Sequence, residues 1–535
     1  MVSCGMLRFV AGSASVTVAL TLTVACSSGA GSDVLPDSRP LPPPPAAVCT
    51  VPVALDTRPA DRMVGDGTPA SCTDAALRTA IAAGGKISFA CGAAATTITL
   101  TATLDIGADV VVDGGGLITI SGGDAVRVFA MNTGNFEATS PHLWLQRVTV
   151  AHGKASGALT AGGGGAVYYV GGKFTAIDSD FIDNAAKLRG PDVAGGAIYG
   201  IGRGESTVVG CRFSGNRASN GGAIGALGSG LTIVNSVLVG NTATGQGANS
   251  VENGVQVGEG GNGGAVSMDG QGRDLDICGS TFDGNSSGAF GGAVFRTGYQ
   301  TERNEIHRSS FINNLARDRT DAMLPSGAGA LYLQGVNVTM TGTTIANNQA
   351  RSSAGVWILG HGNAPARANF TNVTITGNQT YARTPFTERG VAAGLTVGDN
   401  TTGTLLNVTI VNNQAQFGAG IWQASPLLIK NSIIANLADN QYTPLNCSGR
   451  SYAMPPAMGD HNVQWPVGPK DDMDCTTGIT RVDPVMGPLG DRGGPTATMV
   501  PTATGLPRGV DCPPIDQRGK PRNPQDCAIG AVEHP

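Results

Sequence analysis

Charge and aromatic rings are scarce in this chain: Asp, Glu, Lys and Arg make up 14% of it, and Phe, Trp and Tyr 5%. Ordinary globular chains carry about 25% charged residues, so coiled coils and long ion-pair-laced helices are excluded. There is no basic block, and the net charge is −5. The electrostatic footprint of a nucleic-acid partner is therefore missing, and none is expected. No C-x-x-C occurs, which argues against zinc ribbons and thioredoxin-like chemistry. H-E-x-x-H, a phosphate-cradling glycine loop and a Ser-His-Asp motif context are absent as well. What abounds is glycine, 80 of 535 residues, against a usual share of ~7%. Without a triplet period this is not collagen. With 41% hydrophobic residues it is not a disordered polar chain. The composition describes a turn-rich, repetitive, all-β protein.

The N-terminus reads as an export signal. Arg8 precedes a mildly apolar run from Phe9 to Ala25 that Ser, Thr and Gly interrupt, too weak for a spanning helix. Its end, Thr23-Val24-Ala25-Cys26, resembles the bacterial lipobox, although Leu is expected where Thr23 stands. That resemblance implies lipidation of Cys26 and a membrane partner through the lipid. Ordinary cleavage near Ala25 or Ala30, giving a freely secreted protein, is the alternative. Residues 27–48 form a Pro-rich linker, with Pro42 to Pro45 as a short polyproline II segment. Nine cysteines remain after the signal, as suits export. Local pairs Cys72–Cys91, Cys447–Cys475 and Cys512–Cys527 are the expectation, with Cys49 unassigned.

Two short patterns alternate through the middle of the chain. One is Gly-Gly-Ala followed by Val or Ile, at Gly164–Val167, Gly195–Ile198, Gly221–Ile224, Gly263–Val266 and Gly291–Val294, with looser copies to Ala419–Ile421. The other is an apolar residue, two variable residues and Asn. It ends at Asn184, Asn216, Asn241, Asn285, Asn314, Asn348, Asn378, Asn413 and Asn436. Ala166 to Asn184, Ala197 to Asn216 and Ala223 to Asn241 are 18, 19 and 18 positions, whereas Asn241 to Ala265 is 24 and Asn216 to Ala223 only 7. One arm is constant and one corner takes insertions, as in a stacked solenoid. The constant arm holds β-branched, period-two stretches such as 206–213 and 231–238. Two positions before each apolar residue runs a column of small residues: Ser179, Cys211, Ser236, Ser280, Ser309 and Thr343, then Val373, Val408 and Asn431. Asn tolerates left-handed turn backbone and can bond the same Asn one rung away, making a ladder. Cys211 and Cys278, two copies apart, would lie about 9.6 Å from each other, too far for a disulfide. Both are expected to be free and buried.

These motifs resemble the GGA[ILV] and F-x-x-N repeats of chlamydial polymorphic outer-membrane proteins over residues 160–440. The resemblance implies a surface-located, right-handed parallel β-helix of pectate-lyase-like architecture. It departs from that family after residue 440, where no series of barrel strands appears. At the N-terminal side, 73–83 has helical composition, with Thr73 as N-cap, Gly84-Gly85 as stop, and Ala76, Leu77, Ala80 and Ile81 on one face. Residues 49–95 are therefore expected to cap the first rung, and 96–440 to form about eleven or twelve rungs. The segments 483–496, 516–522 and 527–533 together resemble the choice-of-anchor Q domain of bacterial surface proteins. That implies surface attachment and no reaction. Residues 441–535 are expected to be a Cys-containing cap over the last rung.

Chemistry is sparsely signalled. Asp269, Asp274 and Asp276, beside Arg273, are weak Ca²⁺-ligand or acid candidates of the kind a pectate-lyase-like enzyme needs. Gly360-His361-Gly362 matches the G-H-G of polygalacturonase-like hydrolases, but their paired-Asp motif is met only by Asp471-Asp472, beyond the repeats. Glu302, Arg303, Glu305, His307 and Arg308 form the densest charged cluster, in which Glu305 and His307 share a face. The insertions 242–261 and 316–326 are candidate binding loops. The expected function is non-enzymatic: a lipid-anchored surface protein that is structural, adhesive or glycan-binding, with glycans or surface proteins as partners and no cofactor or metal. The alternative is a polysaccharide lyase or hydrolase, with Ca²⁺ only in the lyase case.

Overall fold

A computed structural model describes residues 43, 47–270, 272–299, 302–317, 326–381, 390–436, 445–449, 457–466 and 473–534. Cys26, the rest of the leader, most of the Pro-rich linker, Asp471-Asp472 and residues 318–325 of the second insertion lie outside them.

Each rung repeats one path. The rung at 224–243 shows it: Ile224–Leu227, a corner, Gly230–Val234, a corner, Val237–Val239, and the short Thr242–Ala243. Strands equivalent to the first stack in parallel into a twelve-stranded sheet running from Leu104–Asp105 to Cys447–Gly449. The second and third strands of every rung join a 26-stranded sheet, and the short fourth strands form a six-stranded one. The result is a single parallel β-helix with its apolar side chains inside. Its interior rows include Val167, Ile198, Ile224, Val266, Val294, Leu331, Val356 and Leu395, all fully buried. Stacked rings help fill it, with Phe181 on Phe213 and Phe282 on Phe311, each at 4.7 Å.

The GGA glycines answer to space. The first is left-handed (Gly221, φ +53°), and a Cβ on the second would meet backbone: on Gly222, the Gly264 carbonyl oxygen at 2.2 Å. The asparagines form a continuous buried ladder. In each, the backbone N–H and Nδ2 donate to Oδ1 of the next, as Asn241 does to Asn285 at 3.0 Å and 3.0 Å. The ladder runs past Asn436 to Asn446, a member that its sequence context hides. From Asn184 to Asn413 the left-handed residue is the one before the ladder Asn, such as Asp183, Gly240 or Asn313, not the ladder Asn itself.

In the last repeat Ile434, not Ile433, pairs with Ile410, so the turn is one residue shorter. Ser432 rather than Asn431 then continues the small column, accepting from the Val408 N–H at 3.1 Å.

The helix forms over Asp74–Ala83, capped by Thr73, with Leu77, Ala80 and Ile81 buried over the first coils. The strand Arg62–Val64 already pairs in parallel with Gly85–Phe89, so coiling begins inside the expected cap. Parallel pairing also passes residue 440, through Val463–Trp465 to Thr480–Arg481. The segment 483–534 does not sit only over the end. It lies along the outside of the 26-stranded sheet, where Thr374 donates to Gln517 at 2.6 Å and the Ala531 N–H donates to Thr409 at 2.9 Å.

Disulfides join Cys72–Cys91, Cys447–Cys475 and Cys512–Cys527. The expectation for Cys278 is overturned: it pairs with Cys49, and Cys211 alone is free and buried. The two residues do not share one column. Cys211 stands where other rungs have Ser236 and Ser280, whereas Cys278 aligns with Val234 on the outer side. The segment 48–57 runs back over that side as a strap. The Val48 and Cys49 N–H groups donate to Asn235, and the Leu55 N–H to Gln146.

Candidate functional site: an aromatic cleft on the twelve-stranded sheet

Outward residues of successive strands stack in register one rung apart. The position after each GGA[ILV] faces outward on the twelve-stranded sheet. In order it holds Tyr168, Tyr199, Gly225, Ser267, Phe295, Tyr332, Trp357, Thr396 and Trp422. A chain with few aromatics thus concentrates them in one column. Phe295 stacks on Tyr332 at 5.2 Å and 5°, Phe290 stacks on Tyr332 from the corner at 4.7 Å, and Trp357 stands at 75° to Tyr332. Small residues at Gly225 and Ser267 open a gap in the column, and beside it lies a cleft of about 340 Å³. Residues 248–250 of the first insertion form part of its wall.

The next outward column supplies polar groups: Leu227, Asp269, Thr297 and Gln334 are register neighbours. Asp269 is half-buried, and burial pushes its carboxyl above the usual range, against the pull of the Arg296 guanidinium, a Tyr299 hydrogen bond and His361. His361 lies on Tyr299 with ring centres 4.6 Å apart, and its Nδ1 donates to the Gly298 carbonyl at 3.1 Å. Beneath the cleft, Arg296 is fully buried inside the coil. It donates to the Asn304 side chain and to the carbonyls of Gly270, Arg273 and Thr297. It thereby ties down the corner on which Tyr299 stands. Glu302 accepts from the Gly272 N–H at 2.8 Å on the same corner.

The candidates of the Asp269–Asp276 stretch do not come together. Asp269 ends a strand of the twelve-stranded sheet. After the corner, Asp274 is exposed and ion-paired with Arg303 at 3.3 Å. Asp276 lies on the 26-stranded sheet between Thr232 and Glu305 in register. Burial raises the Asp276 carboxyl, which Arg303 counters. Glu305 and His307 meet at 2.8 Å, and His307 Nδ1 is 2.7 Å from the Thr341 hydroxyl. Among the described residues no group of three His, Cys, Asp or Glu could hold a metal ion. His361 does join Asp269, at the same cleft.

The sequence reading missed Asp192, Asn262, Tyr299 and the aromatic column. The column has a sequence signal: its residues stand one position after the apolar residue of the GGA motif. Asp192 and Tyr299 sit on corners, where spacing carries no signal.

No protein-family model matches this chain. No curated protein matches it either. Among solved structures it is similar to tailspike protein 3 of bacteriophage CBA120, with a TM-score of 0.45 and 11% identity over 79% of this chain and 59% of that one. The match thus spans less than two thirds of the tailspike chain.

Proposed function

We propose that the protein is an exported, surface-held β-helix that binds a glycan in the cleft on its twelve-stranded sheet. The observation that carries this reading is the pairing of an apolar ring column with a row of hydrogen-bonding side chains. Sugars offer apolar C–H faces and a rim of hydroxyls, and pockets for them combine rings with a few placed polar groups. Thr297, Gln334, Ser250 and Ser267 supply such groups. Lipidation at Cys26 would hold the protein at the membrane, and the anchor-like C-terminal segment fits the same location.

The test is retention of purified protein on immobilised polysaccharides. Tyr299, 40% exposed at the cleft, is the residue to truncate. Tyr299→Ala is expected to weaken retention about tenfold, on the scale of one lost ring contact. Unchanged retention would move the site elsewhere. A second reading has one observation in its favour: Asp269, proton-retentive in the cleft with Asp192 as a second carboxylate, has the form of a general acid with a partner. Release of new reducing ends from a retained glycan would establish it. Loss of membrane association and of fatty-acid label in Cys26→Ser would establish the anchor.

A further inference from the structure

We propose that the glycan held in the cleft is cationic, an amino-sugar polymer whose free ammonium groups are received by Asp269 and Asp192. This rests on the glycan-binding reading and names its ligand class.

Three features of the cleft converge. First, the fixed charges in its lining are carboxylates, set over the Arg296 guanidinium buried beneath: Asp192 and Asp269 line it, and among the described residues no Lys or Arg does. A uronic-acid polymer would meet repulsion there. Second, the cleft holds an acceptor that the fold leaves unspent. Asn262 is 5% exposed and lines the cleft, and its Oδ1 is buried with no hydrogen-bond partner. An orphaned acceptor of this kind is rare in folded proteins. His361 spends Nδ1–H on the Gly298 carbonyl, so only Nε2 of its ring remains for a ligand. Such a site calls for a ligand rich in donors, and an ammonium has three N–H bonds and no acceptor. Third, five rings line the cleft: Tyr199, Phe290, Phe295, Tyr299 and Tyr332. Rings together with carboxylates are the usual surroundings of a bound ammonium, held by ring quadrupole and charge together. Ser250, Ser267 and Thr297 provide for hydroxyls beside that cation, which favours a sugar over a lysine side chain.

Binding such a cation would also draw a proton from the site. Burial holds the Asp269 carboxyl above its usual range, and a neighbouring positive charge favours the ionised form. Binding at a pH where the folded carboxyl still holds its proton is therefore accompanied by proton release from Asp269.

The test is calorimetric titration of the full chain with three probes: the unacetylated glucosamine tetrasaccharide, its fully N-acetylated counterpart, and a tetralysine peptide. The unacetylated sugar is expected to bind at least about tenfold more tightly than the acetylated one. Proton release should be visible as a dependence of the heat on buffer. Asp269→Asn should abolish that release and the preference for the free amine. Asp192→Asn, at an exposed residue, is the second variant and should lower affinity for the amine without touching the fold. Equal binding of both sugars, or a preference for the amine that survives both variants, would overturn the cationic ligand and leave the glycan reading standing. Binding of tetralysine alone would overturn the sugar as its source, and binding of no probe would overturn the cationic ligand, with retention on other polysaccharides deciding the glycan reading.

Discussion

Truncating one rung of the asparagine ladder, Asn285→Ala, tests how the stack is held. The Asn285 Oδ1 accepts from the Asn241 N–H and Nδ2, and its own Nδ2 donates to the Leu238 carbonyl and to Asn314, all at 2.9–3.0 Å. Alanine leaves the Asn241 amide N–H and one of its side-chain hydrogens without an acceptor. The Leu238 carbonyl loses a donor, while Asn314 keeps the one from the Asn285 backbone. All these residues are buried. Two orphaned donors at about 1–3 kcal/mol each give a loss of about 2–6 kcal/mol. A long repeat stack need not unfold in one step, so the primary assay is local. Native-state hydrogen exchange at the Asn241 amide should accelerate by more than about a hundredfold, the equivalent of ~3 kcal/mol. The urea midpoint should fall in parallel. Asn249→Ala, in the exposed insertion, serves as control and should stay within about 0.5 kcal/mol. An Asn241 amide as protected in the alanine variant as in the parent would refute the claim that side-chain bonding between rungs, and not coil packing alone, secures this corner.

The other predictions follow from the same contacts. Gly222→Ala should prevent stable folding, because the new Cβ would lie 2.2 Å from a backbone oxygen; Gly240→Asn, at φ +61° with open space around it, should be tolerated, as Asn313 is at the equivalent turn, with solubility and melting temperature as readouts. Cys211, fully buried with its thiol pushed up to about 12 by burial, should resist alkylation at pH 8 until urea exposes it. Cys49→Ser with Cys278→Ser removes a link between residues 229 positions apart; by chain entropy it should lower stability by at most about 5 kcal/mol and open residues 48–57 to protease before the coils. Asp269 binds its proton more tightly folded than unfolded, so its contribution declines as pH rises from the unfolded carboxylate range to the higher folded value. Asp269→Asn should therefore melt no lower than the parent at pH 7, and the gap should close below pH 4.

The architecture was legible because the repeat writes it twice. GGA[ILV] marks the entry to each outward column, and the spaced asparagines mark the ladder. Both are dictated by backbone needs that recur on every rung. Legibility failed where a residue's role depends on a segment far away. Cys278 reads as one more stack position, yet its partner arrives from 229 residues upstream on the strap. Asn446 joins the ladder only ten residues after Asn436, inside a repeat too irregular to recognise. Asp269 and Asp276 look like one acidic cluster in the chain, but the corner between them turns their strands onto different sheets. Sequence proximity in a β-helix predicts shared face only within a strand, while proximity in the fold runs perpendicular to the chain, one rung away.

That geometry also argues for where a ligand can act. The strap at 48–57 and the segment 483–534 both bond to the 26-stranded sheet, through Asn235, Gln146 and Arg308 at one end and Thr344, Thr374, Asn407 and Thr409 at the other. The two ends approach each other beside Arg308 and Gln517, which line one shared cavity with Val48. The chain thus uses its own termini to cover the outer side on which Glu305 and His307 lie. Its ring column stands on the other sheet, where the first insertion walls a cleft without filling it. Lengthening that insertion would alter ligand selection at little expense to the coil, since the ladder and the buried rows pass beneath it unchanged. A deletion of 247–258 closed by a short glycine link is accordingly expected to leave the melting temperature within a few degrees of the parent while changing glycan retention. A large drop in melting temperature would show instead that the insertion is part of the stack.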